Sequence, residues 1–211
     1  MNATDDEILA AAQAILNAGG LTALSTRAVA HKLGLSPGNV SYHFPRKENL
    51  VAALVDRHGE RNRVRFDREV ESVSEFLEVF RELFRAQWAW RGLLLALPDI
   101  MATWDEIRAN YRRSEKTRRA QLLGLLQSLR ARSQLDASDR ELSRLVSQLT
   151  FVARFWVSEA RVSYWQYGED RVLGHYLANV ADALRPWVTE RTRGGLEAWL
   201  EGWIDVADSA P

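Results

Sequence analysis

Residues 24–47 read L-S-T-R-A-V-A-H-K-L-G-L-S-P-G-N-V-S-Y-H-F-P-R-K and gather groups that bind anions. Between Gly20 and Lys47 stand Arg27, Lys32, Arg46, Lys47 and two histidines, with no acid, while all 28 acidic residues lie elsewhere. The formal net charge of the 211-residue chain is zero, so this positive excess is local. A local basic stripe is the electrostatic footprint of a phosphate-binding surface, although four charges also fit a solvated face. Thr26 would stand at a helix start, where its hydroxyl and free N–H groups both face an anion. Tyr42, His43 and Lys47 can each donate to a phosphate oxygen without reading sequence. The short side chains of Ser36-Pro37-Gly38-Asn39 let a helix end approach a groove closely, and Asn39 has the donor–acceptor pair that reads a base edge or bonds a phosphate. Phe44 is expected to be core, His43 has backbone bonding as its competing role, and His31 reads as a solvated surface residue.

These side chains need helices to place them. Thr4 and Glu7 form a capping-box pattern ahead of Ile8, Ala11, Ala12, Ile15 and Leu16 at helical spacing, with Gly19-Gly20 as the stop. Ser25 can cap a second helix carrying Ala28, Val29, Ala30 and Leu33, which Gly34 ends in the left-handed conformation. Ser36 can cap a third, with Pro37 at its first position and Pro45 as its stop. Helix, tight turn and helix, locked by Ala28, Val29, Leu33, Leu35 and Val40, is the helix-turn-helix pattern. In such a unit the second helix enters the major groove and presents its N-terminal residues to base edges.

The run S-P-G-N-V-S-Y-H-F-P-R-K-E-N-L over residues 36–50, preceded by L-S-T-R-A-V-A-H-K-L-G, resembles the DNA-binding domain of the tetracycline-repressor (TetR/AcrR) family. The close resemblance covers about residues 8–56; beyond it the chain is similar only in architecture. The resemblance implies base-contacting positions at or near Arg27, Ser36, Pro37, Gly38 and Asn39. It implies phosphate-contacting positions at Thr26, Tyr42, His43 and Lys47. Ser41 departs from the family, which usually has tyrosine there, and so removes one expected DNA contact. The family's architecture implies a helix-turn-helix domain over residues 1–46 and a larger ligand-binding and dimerisation domain over residues 47–211.

Downstream, the pattern predicts a long helix from about Arg46 to Val70 and one boxed by Ser72 and Glu75. The pattern breaks from Gly92 to Pro98. Long helices follow from Thr103/Glu106 to about Arg132, from Ser138/Glu141 to about Gly168, and from Glu169 to Arg193 with a kink at Pro186. Gly194-Gly195 would separate a last helix carrying Leu196, Trp199, Leu200, Trp203 and Ile204. The expectation is an all-α chain of nine or ten helices, and Pro and Gly at about 8% of residues agree with it. The broken stretch makes Trp88, Arg91, Met101 and Trp104 candidate pocket residues, with core packing as the alternative role of the tryptophans. Arg154, Trp156 and Glu159, on a stripe-bearing helix, are candidates for the same site. The two helices of about residues 138–168 and 169–193 carry wide apolar faces and are the expected homodimer interface. A dimer is needed to read half-sites about 34–36 Å apart.

Cysteine is absent, which excludes disulfides, thiolate metal sites and a Cys nucleophile. Arg outnumbers Lys by 25 to 3, which suits anion recognition but is more simply a codon bias. No HExxH, GxGxxG or P-loop occurs, and the four histidines are scattered, so no enzyme, metal or cofactor is expected. The acidic stretch Met1–Glu7 does not read as a secretory signal, and no apolar run approaches the ~18 residues of a membrane span, so a cytoplasmic location is expected. The expected protein is a transcriptional regulator, a repressor released from a palindromic double-stranded DNA operator by a small molecule. The rival is a helical DNA-binding protein without an effector, constitutive or architectural.

Overall fold

The computed structural model describes residues 4–203. Over these residues the chain forms ten α-helices and one 3-10 turn, with no β-strand beyond an isolated bridge between Leu135 and Val188. The fold is all-α, as the periodicity predicts. Met1–Ala3 and Ile204 lie outside the described residues.

The chain divides into two compact units. Unit 1 takes residues 1–61 and 90–115. It holds α1 (Asp5–Ala23), α2 (Thr26–Leu33), α3 (Pro37–His43), most of α4 (Lys47–Phe66), α6 (Arg91–Thr103) and the first part of α7 (Asp105–Ala131). Unit 2 takes residues 62–89 and 116–211 and holds α5 (Val73–Ala89), α8 (Asp139–Ser163), α9 (Glu169–Leu184) and α10 (Glu190–Glu201), with the remainders of α4 and α7.

The helix starts follow the capping patterns. Thr4 and Glu7 exchange both bonds of a capping box at α1, and Ser138 and Glu141 do the same at α8. The Ser138 bonds hold the Glu141 carboxyl below its ordinary pKa. At α5 only half of the box forms: Glu75 N–H donates to Ser72 Oγ at 3.2 Å, but the Glu75 carboxylate accepts from the Glu71 N–H instead of that of Ser72. Gly20, at φ 68°, breaks the helical ladder of α1, and a last short turn carries on to Ala23.

Three expected boundaries are corrected. No break separates Gly92 from Pro98; both lie inside α6. Proline in a helix interior costs about 3 kcal/mol, but Pro98 is exposed while Leu93, Leu94, Ala96, Leu97 and Ile100 are buried on either side of it. Their burial offsets that cost, at about 1.5–3 kcal/mol for each large side chain. The helix beginning at Glu169 does not reach Arg193: it ends at Leu184, and Pro186 sits in the 3-10 turn Arg185–Trp187. Gly194-Gly195 does not separate two helices but lies within α10. That helix is held by buried Leu196, by the Trp199 indole donating to Glu78 at 2.9 Å, and by an Arg185–Glu197 ion pair at 2.9 Å.

Unit 1 is built on the crossing of α1 and α6. Gly92 is buried against the α1 backbone, and a Cβ placed there would lie 2.3 Å from the Leu16 carbonyl oxygen. Its N–H, one of the helix-start donors that lack an intrahelical acceptor, donates to Asn17 Oδ1 at 2.8 Å. Leu93, Ala96 and Ile100 then share one core with Ile8, Ala12 and Leu16 of α1. Gly92→Ala is therefore expected to destabilise the protein by at least about 3 kcal/mol, because a backbone carbonyl has nowhere to move. Urea denaturation monitored by circular dichroism checks this, and an unchanged midpoint would refute the crossing as described.

Candidate nucleic-acid interface

The helix-turn-helix of unit 1 is held by a small number of local bonds. Ser25 Oγ accepts from the Ala28 N–H at 3.0 Å and caps α2. Gly34, at φ 66° and ψ 29°, closes α2: its N–H donates to His31 O at 3.2 Å and the Leu35 N–H to Ala30 O at 2.9 Å. This pair of bonds is the Schellman turn that glycine makes without strain. Val29, Ala30 and Val40 are buried between α2 and α3, and Phe44 is buried as expected.

Ser36 stands at the N-cap of α3, but its side chain makes no capping bond. Its hydroxyl is exposed, as are Pro37 and Gly38, and Asn39 is half-buried on the next position. On α2, Thr26 is half-buried at the first helical residue and Arg27 is exposed. Tyr42 is 85% exposed, an unusual position for a large aromatic, with its ring edge-on to His43 at 5.3 Å. The remaining cations of the acid-free segment, Lys32 and Arg46, are also exposed.

Two expected anchors have structural partners as well. His43 Nδ1 lies 2.6 Å from Asp5 Oδ1. Lys47 Nζ donates to the Leu21 carbonyl oxygen near the end of α1, leaving two of its three N–H donors for other acceptors. Asp6 pairs with Arg57 of α4. Asp5 and Asp6 thus tie the acidic first turn of α1 to α3 and α4. Sequence reasoning missed both ties, because no local spacing links Asp5 to His43 or Asp6 to Arg57.

The candidate pocket residues fall into separate groups. Arg91 and Met101 lie on α6 and Trp104 at its C-terminal end, all in unit 1, and Met101 and Trp104 pack against that unit's core. Trp88 and Trp156 come together in unit 2: their rings stack at 6.0 Å, Trp156 stacks on Phe84 at 5.0 Å, and Trp88 meets Trp165 at 5.2 Å. Trp156 is buried and donates its indole N–H to Gln87, whose own amide donates to Ala153 O at 2.9 Å. Beside it, the buried Tyr176 hydroxyl has no hydrogen-bond partner. On α8, Arg154 is half-buried with its guanidinium 6.0 Å over the Phe155 ring, and Glu159 is exposed. Among the described residues no cluster of His, Cys, Asp and Glu could hold a metal ion, and no helix is long and apolar enough to cross a membrane.

A short exposed helix presented by a capped partner helix across a glycine turn defines a helix-turn-helix DNA-binding protein. The family model described as bacterial regulatory proteins, tetR family, matches residues 8–54, and that described as TetR, bacterial transcriptional repressor, matches residues 57–196. The chain belongs to the TetR family of bacterial transcriptional regulators. Similar solved structures include a TetR-family transcriptional regulator from Marinobacter aquaeolei VT8, at 18% identity and a TM-score of 0.86, covering 96% of this chain and 99% of the other. A transcriptional regulator from Rhodococcus sp. Rha1 is 18% identical with a TM-score of 0.70, over 88% and 98% of the two chains. SmeT, the repressor of the Stenotrophomonas maltophilia multidrug efflux pump SmeDEF, is 18% identical with a TM-score of 0.63, over 89% and 92%; a SmeT–triclosan complex is also similar. No match was found among curated proteins.

The two serines at the helix starts have different roles, and this is open to test. Ser25→Ala is expected to cost about 1 kcal/mol of stability through the lost cap. Ser36→Ala should change stability by less than about 0.5 kcal/mol, since no cap bond is lost. Thermal melts of the two variants check the difference; equal losses would contradict it.

Proposed function

We propose that this protein is a ligand-responsive repressor, bound as a homodimer to a palindromic operator and released from it by a small molecule. In this reading residues 1–46 form the DNA-binding domain and residues 47–211 the effector-binding and dimerisation domain. The observation that carries it is the surface of α3 and its surroundings: Ser36, Pro37, Gly38 and Tyr42 are exposed, and the segment around them holds cations and no acid. Ser36 to Asn39, with Arg27, meet base edges in the major groove. Thr26, Tyr42, His43 and Lys47 hold phosphates on either side.

The dimer reading is supported by α8. Phe151 is 64% and Val162 86% exposed, and Phe155 packs on Phe151 at 5.3 Å. Most of the apolar residues of α9, from Val172 to Leu184, are buried inside unit 2. The apolar contact with a second copy would therefore come mainly from α8, with α9 contributing through residues such as His175, Ala178 and Asn179. Effector response is supported by the aromatic cluster of Trp88, Trp156 and Tyr176 in unit 2 and by the helices α4 and α7, each of which has residues in both units. A ligand that binds one arrangement of the dimer better shifts the population toward it, and DNA affinity follows by linkage.

The test is fluorescence anisotropy on the DNA flanking the protein's own gene, beside random DNA. Asn39→Ala should cost about 1–3 kcal/mol on the operator and much less on random DNA, because it removes base reading. Lys47→Ala should weaken both and lower the salt slope by about 1. Equal loss on both DNAs for Asn39→Ala would refute its base-reading role, and selective binding by neither DNA would overturn the repressor reading. Phe151→Asp should convert the dimer to a folded monomer in sedimentation velocity and remove operator binding. A dimer that persists would place the interface elsewhere.

A further inference from the structure

His43 is the last residue of α3. Its Nδ1 lies 2.6 Å from Asp5 Oδ1, and its side chain remains 25% exposed. We propose that Asp5 is a positioning residue for DNA binding: it commits His43 to holding a phosphate only as the imidazolium, so that each chain takes up a proton when it binds DNA. The proposal rests on the reading of His43 as a phosphate anchor given above.

The hydrogen-bond inventory of the ring carries it. A carboxylate only accepts, so the proton of the bond to Asp5 sits on Nδ1. In the neutral ring the other nitrogen, Nε2, is then a bare acceptor. A phosphate oxygen is an acceptor too, and two acceptors do not bond. Nε2 gains the N–H that a phosphate needs only when the ring carries a second proton. Without Asp5, the neutral ring would be free to keep its one proton on Nε2 and bond a phosphate with no proton uptake. Asp5 closes that route.

The surroundings favour the cation in the complex. His43 ends α3, where the terminal carbonyls of a helix favour a positive charge. With DNA bound, the ring would stand between two anions, the Asp5 carboxylate and the phosphate, and opposite charges close by favour the charged form.

The neighbouring charges are engaged elsewhere or are exposed. On α1, Asp6 pairs with Arg57 of α4, and Glu7 closes its box with Thr4. Lys47 donates to the Leu21 carbonyl oxygen, and Glu48 lies in the first turn of α4. Arg46 is exposed ahead of α4, as are Arg27, His31 and Lys32 on α2. On α3 itself, the Tyr42 ring meets His43 edge-on at 5.3 Å.

Fluorescence anisotropy at fixed ionic strength, from about pH 6 to 8.5, tests this across the range in which histidine changes charge. It would use the DNA flanking the gene and a random duplex at low salt, because phosphate contacts do not read sequence. The complex holds more protons than the free protein, so affinity should fall as pH rises, by up to about ten-fold per chain for each pH unit. Calorimetry in two buffers of different ionisation enthalpy should count up to about one proton taken up per chain where the fall is steepest. His43→Gln should lose most of the fall and of the uptake, whereas His31→Gln should keep both. Asp5→Asn should at least halve the uptake. An Asp5 that acts only by repelling phosphate predicts otherwise: Asp5→Asn would tighten binding equally at every pH and leave the uptake unchanged. The two variants approach one contact from opposite sides, so either suffices. A wild-type affinity that does not vary with pH, a fall that survives His43→Gln, or an uptake unchanged in Asp5→Asn would overturn the proposal and leave the DNA-binding reading standing. Failure of the folded wild type to bind either DNA would refute both.

Discussion

Unit 1 depends on one close approach. At Gly92 the backbones of α1 and α6 meet at a distance that no side chain permits, and Asn17 accepts from the Gly92 N–H that α6 presents there. α1 is also the helix on which α2 packs, and α3 packs on α2 in turn. The aim of the recognition helix is therefore set by α1, and α1 is set by α6. This explains why a proline is tolerated inside α6. Ala96 and Ile100, on either side of Pro98, must keep their places in the core shared with α1, and burial of the residues around the proline outweighs the one lost backbone bond.

The second constraint is electrostatic. The first turn of α1 carries Asp5, Asp6 and Glu7, which suits a helix N-terminus but would repel a phosphate backbone nearby. The structure engages each of them: Asp5 pairs with His43, Asp6 with Arg57, and Glu7 closes the capping box with Thr4. The same bonds fix the end of α3. His43 and Lys47 consequently have two tasks, since each is tied to α1 and each lies at an expected phosphate position.

Much of this was legible in the sequence, for physical reasons that can be stated residue by residue. Thr4/Glu7 and Ser138/Glu141 are local signals with local partners, and both boxes form. Gly34 stands where a left-handed turn is needed, and the turn is there. The boundaries that failed are those where tertiary packing overrides a breaker. Pro98 and Gly194-Gly195 lie inside helices because Leu97, Ile100 and Leu196 are buried beside them. Asp5–His43, Asp6–Arg57 and Gly92 against Leu16 are long-range partners with no spacing rule, so the sequence alone gives no sign of them. Trp88 and Trp156 were legible as aromatic stripe positions, whereas Arg91, Met101 and Trp104 fall in the other unit.

The proposed repressor depends on two recognition helices acting together on one duplex. Hydroxyl-radical footprinting of the operator, with subunit stoichiometry measured on the same complex, tests this most directly. The account predicts two chains per site and two protected backbone segments related by two-fold symmetry, their centres about 34–36 Å apart or a multiple of that distance. A single protected segment, one chain per duplex, or uniform protection along any DNA would contradict it.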